Sequence, residues 1–98
     1  MKTLNEIYLE RVRKQLVKEM DVYERGENLI LEFRHELNQL EELLDQAKSL
    51  EYHEKVADIT ELMAKVASNI YEVDEDQKNV VKRINIYREI LGVAPMVA

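Results

Sequence analysis

The sequence predicts an all-α fold: a long antiparallel helical hairpin of coiled-coil type that pairs into a dimeric four-helix bundle. Three observations carry this reading. Apolar residues recur in alternating steps of three and four along most of the chain. The repeat breaks once, near the middle. The composition is 46% apolar and 35% charged, with two glycines, one proline and no tryptophan, which favours helix and carries no strand signature.

The first seam runs Leu9, Val12, Leu16, Glu19, Tyr23, Gly26, Ile30 and onward to Ala47. After a step of five, a second runs from Tyr52 through Val56, Gln77, Val80 and Ile84 to Leu91. A chain of 98 residues makes one domain at most. The expected layout is helix 1 over about 4–47, a turn over about 48–51, helix 2 over about 52–91 and a short tail over 92–98.

Thr3 followed by Glu6 is a capping-box pattern, so helix 1 begins near Leu4. Gly26 is its weak point, because glycine inside a helix costs about 1 kcal/mol relative to alanine. At a seam position it reads as a close contact or a bend. The extra residue between Ala47 and Tyr52 would rotate an unbroken stripe by about 100°, so a turn is expected there, with Ser49 as N-cap of helix 2. A continuous rod with a skip residue is the alternative. Gly92 with Pro95 beyond it supplies the stop of helix 2, and Arg88 suits its last turn. Asp74 and Gln77 fit a second capping box, which keeps a three-helix arrangement open.

Folding back near Ser49 allows two registers. In one, facing residues sum to 96 and Glu19 meets Gln77 in a shared polar layer. In the other they sum to 103 and Gly26 meets Gln77. The first is favoured, because a polar layer fixes register at a cost in stability.

Net charge is −6, unevenly spread. Residues 1–18 carry +3, 19–77 carry −12 and 78–98 carry +3. The hairpin would gather Arg11, Arg13, Lys14 and Lys18 with Lys78, Lys82, Arg83 and Arg88 into a basic open end. Eight bases, partly offset by Glu6, Glu10 and Glu89, are few for a nucleic-acid binder, and the acidic body would repel phosphate. Nucleic acid is therefore not the expected partner.

Beside the seam, Tyr8, Val22, Leu29, Leu43 and Leu50 occupy the g position of helix 1, Leu62 and Ile90 that of helix 2, and Val81 an e position. A seam with an apolar flank is the pattern of a bundle helix. A second copy is the expected cover, giving a homodimer. Another helical protein, or a basic protein surface drawn to the acidic body, is the alternative.

Chemistry is sparse. Glu32-x-x-His35 has di-iron bundle spacing, but both residues fall on the solvent side of the repeat; His53 is likewise a surface residue. Carboxylate pairs such as Glu41 with Asp45 and Glu54 with Asp58, and the run Glu72 to Asp76, read as solvated helix faces. No phosphate loop or nucleophile constellation occurs, and no cofactor or metal is expected. A non-enzymatic interaction or assembly protein is the expectation. A small acidic adaptor, chaperone or inhibitor of a larger machine, phage-type accessory proteins included, is the alternative.

Without cysteine there is no disulfide framework and no Cys-ligated zinc. The start lacks the pattern of a secretory signal, and no run reaches the roughly 18 apolar residues of a membrane span. A soluble, cytoplasmic product is expected. In plan the chain is similar to the small secreted hairpins that carry a Trp-x-Gly turn and a Tyr-x-x-x-Asp/Glu signal after helix 2. Here the turn reads Ser49-Leu50-Glu51-Tyr52, and the fitting tetrad, Tyr71 to Glu75, lies inside helix 2, so that family is not assigned. The plan is also similar to small helical secretion chaperones, again without a specific motif.

Overall fold

The computed structural model describes residues 1–97, which form an all-α helical hairpin of two long helices, α1 (Leu4–Ser49) and α2 (His53–Ile90). The chain contacts itself as two compact units. One comprises residues 1–27 and 75–97, the other residues 28–74, and each holds one stretch of each helix.

α1 starts where the capping pattern places it. Thr3 Oγ1 accepts the Glu6 backbone N–H at 3.1 Å, and the Thr3 carbonyl accepts that of Ile7 at 3.1 Å, satisfying two groups that a first turn otherwise leaves orphaned.

The helix runs two residues past the expected Ala47. Ser49, read from the sequence as the N-cap of helix 2, is instead the last residue of α1, and its hydroxyl donates back to the Asp45 carbonyl at 3.0 Å. The turn is made by Glu51, whose φ of 57° is left-handed. Glu51 N–H bonds the Lys48 carbonyl at 3.1 Å and Tyr52 N–H the Ala47 carbonyl at 3.0 Å, the paired bonds of a Schellman cap. A second cap of the same form ends α2. Gly92, with φ 71°, bonds Glu89, and Val93 bonds Arg88. Glycine adopts that backbone freely, whereas Glu51 places a Cβ against its own carbonyl.

Tyr52, expected to open the second seam, sits before α2 and is 60% exposed. The step of five absorbs the turn, so α2 enters the seam at Val56 and ends one residue before the expected Leu91. No break occurs at Asp74, because the Gln77 side chain that would close a capping box is buried and bonded elsewhere.

From Leu9 to Ala47, and from Val56 to Leu91, every seam position is buried or half-buried. In the first unit the core is Val12, Val80, Val81 and Ile84, with Ile84 fully enclosed. In the second it is Ile30, Leu40, Ala47 and Val66. Apolar burial at about 25 cal/mol per Å² is the main favourable contribution along these seams.

Candidate interaction surfaces

The first unit carries the polar features of the seam. Gln77 is only 6% exposed. Its Nε2 donates to the Tyr23 carbonyl at 2.7 Å and to Glu27 Oε1 at 3.2 Å, so both donors of a buried amide are used. The carboxamide lies directly over Gly26, where a Cβ would overlap it. Gly26 is thus a close contact rather than a bend. This meeting belongs to the register in which facing residues sum to 103, not the one favoured from the sequence. A shared Glu–Gln layer offers Gln77 no room beside the opposite backbone, whereas glycine gives the amide both space and a carbonyl to bond.

Glu19 pairs with another residue. Its Oε1 accepts from Arg83 Nε at 3.0 Å, while its Oε2 is buried with no hydrogen-bond partner among the described residues. The Glu19 hydrogen bond holds the Arg83 guanidinium above its ordinary pKa, opposed by burial and aided by the charge of Glu19.

The basic residues fall into two groups. On α2, Arg83 is paired with Glu19 and Lys78 with Glu75 at 2.8 Å, and Arg88 Nη1 donates to the Ala94 carbonyl at 3.3 Å. On α1, Arg11, Arg13, Lys14 and Lys18 line a shallow depression with Gln15 and Val17. Lys82 flanks a second depression with Asn85, Ile86, Glu89, Val93 and Pro95. Much of the α2 contribution to the expected basic end is thus committed within the chain.

The apolar flank residues remain at the surface, with one exception. In the first unit Tyr8, Val22 and Ile90 are exposed. In the second, Leu29 is 38%, Leu43 49% and Leu62 44% exposed, and Leu50 is exposed in the turn. Val81, expected to face a partner, is 6% exposed and belongs to the core of its own unit. The segment after Gly92 is tied to the same helix. It turns back along α2, and Asn85, one turn beyond Val81 on the same face, grips it with both ends of its carboxamide. Nδ2 donates to the Met96 carbonyl at 3.0 Å and Oδ1 accepts the Met96 N–H at 2.7 Å. Neither Asn85 nor Met96 stood out in the heptad pattern, because Asn85 occupies an outer position and Met96 lies beyond the helix stop.

His35 and His53 are both exposed. Among the described residues no three or more His, Asp or Glu side chains are placed to hold a metal ion, and no helix is long and apolar enough to cross a membrane.

No protein-family model, no curated protein and no solved structure matches the chain.

Proposed function

We propose that this protein is a non-enzymatic assembly protein, a helical hairpin that associates with a second copy through its g-position flank to form a dimeric four-helix bundle in the cytoplasm. The observation that carries the reading is the exposure of Leu29, Leu43 and Leu62 beside a seam already complete without them. Covering side chains of this size contributes roughly 1.5–3 kcal/mol each before ordering costs, and folded monomers seldom leave such clusters in water. A second copy presents the same flank and satisfies both at once. Acidic bodies and basic ends would attract each other in an antiparallel pairing, which favours that orientation over the parallel one. Solution mass tests the proposal: a dimer supports it and a monomer at every salt concentration overturns it.

The alternative is an acidic adaptor or inhibitor whose flank is covered by another protein. The cluster Arg11, Arg13, Lys14 and Lys18, which makes no ion pair among the described residues, favours it as a contact point for an acidic surface. Under that reading the isolated chain is monomeric and Lys14→Glu with Lys18→Glu weakens capture of the partner.

A further inference from the structure

The segment Gly92–Val97 is held as a peptide is held. Beyond the cap bonds of Gly92 and Val93, its hydrogen bonds to α2 run through backbone groups of alternate residues: the Ala94 carbonyl to Arg88, and both the N–H and the carbonyl of Met96 to Asn85. That spacing of two is the period of an extended chain. Met96 is half-buried, while Val93, Ala94, Pro95 and Val97 are exposed. Pro95 has no N–H to donate and none is used at its position, and proline biases the preceding Ala94 toward extended backbone. The rim carries one base, Lys82, and one acid, Glu89, and the Arg88 guanidinium is spent on a backbone carbonyl, so no charged side chain of the segment is read. Among the described residues, buried Arg88 Nε finds no hydrogen-bond partner. A surface that reads backbone and one apolar side chain recognises a class of segment rather than a single sequence.

We propose that the face of α2 formed by Val81, Asn85 and Arg88 is a binding site for an extended, uncharged peptide segment of another protein, with an unbranched apolar side chain such as Met at the Asn85 position, and that residues 92–97 are its resident ligand and gate. A short tether gives the resident segment an effective concentration in the millimolar range, so an incoming segment must compete. The hinge is Gly92, whose left-handed backbone starts the segment on its return path. The site is separate from the flank of Leu29, Leu43 and Leu62 and does not depend on self-association.

The test is a fluorescence-anisotropy titration of a labelled, end-capped peptide, Gly-Val-Ala-Pro-Met-Val, against three full-length proteins: wild type, Met96→Asp, and Met96→Asp with Asn85→Ala. Circular dichroism confirms helicity in each. Met96→Asp opens the site, so it is expected to bind the peptide at least about tenfold more tightly than wild type, since apparent affinity scales with the open fraction. Adding Asn85→Ala is expected to cost a further tenfold or more. If the residue 96 amide remains protected from exchange in Met96→Asp, Met96→Pro replaces it, because it removes the N–H that Asn85 accepts. Equal affinity for wild type and the opened variant, affinity unchanged by Asn85→Ala, or no binding up to about 1 mM in an opened, helical variant would each overturn the proposal. Light scattering on the same samples reads self-association separately.

Discussion

The Gln77 carboxamide occupies the space that a side chain at position 26 would fill, so Gly26 and Gln77 specify one another. The glycine exposes the Tyr23 carbonyl to a buried amide, and the amide in return closes the gap beside the glycine. Gly26→Ala gains about 1 kcal/mol of helix propensity but displaces Gln77 and strands a buried polar group, so a net loss of about 1–2 kcal/mol is expected. Urea unfolding at fixed protein concentration measures it. Adding Gln77→Ala removes the clash and the orphaned amide, and should return at least half of the loss; a stabilised Gly26→Ala single variant would mean that the contact does not constrain the seam.

The two Schellman caps offer an internal comparison. Gly92 carries its left-handed backbone freely, whereas Glu51 carries the same conformation at a cost of about 1–2 kcal/mol. Glu51→Gly should therefore stabilise the hairpin by about 1 kcal/mol, less than the full strain because glycine also frees the unfolded chain. Thermal unfolding reads the sign directly, and a lower midpoint would show that Glu51 is relaxed in the turn.

Glu19 is a charge in the seam with one oxygen bonded and one buried with no hydrogen-bond partner among the described residues. Replacing such a group by a hydrophobe of similar size is often neutral or stabilising, because desolvation offsets the attraction of the pair. Glu19→Leu is expected to stabilise by on the order of 1 kcal/mol. Arg83→Ala should act in the opposite direction, since it removes the guanidinium that bonds the Glu19 carboxylate in the seam. A denaturation series of the two single variants and the double variant separates the effects: Arg83→Ala should matter less once Glu19 is Leu, and an unchanged effect would show that the pair is not coupled.

The seam was legible in the sequence because its physics is periodic. A repeat of seven leaves a stripe on a helix, and each position of that stripe from Leu9 to Ala47 and from Val56 to Leu91 is buried or half-buried. What the sequence concealed depends on single backbone or side-chain conformations. Nothing in Ser49-Leu50-Glu51-Tyr52 announces that a glutamate carries the left-handed turn. The register was misread because pairing polar residues by type overlooks volume, and Gln77 needs the room that only Gly26 leaves. Val81 looked available because hydrophobic pattern cannot tell an e position facing a partner from one enclosed within its own unit, and the Asn85 clip on Met96 uses backbone atoms that no side-chain pattern records.

The flank offers the sharpest test of assembly because its own helix supplies a control. Leu29 and Leu43 lie at g, whereas Leu31 lies at an outer position of α1 and is more exposed than either, at 61%. If a second copy covers the flank, light scattering on the wild type should give about twice the 11.6 kDa chain mass, and Leu29→Glu or Leu43→Glu should lower it toward one chain while helicity survives. Leu31→Glu should leave the mass unchanged. Salt sorts the forces: an apolar interface holds or strengthens as ionic strength rises, whereas pairing driven by the basic ends and acidic bodies weakens within the shrinking Debye length. A mass that falls equally for all three variants would point to general loss of structure or to charge repulsion, and the g flank would lose its claim as the interface.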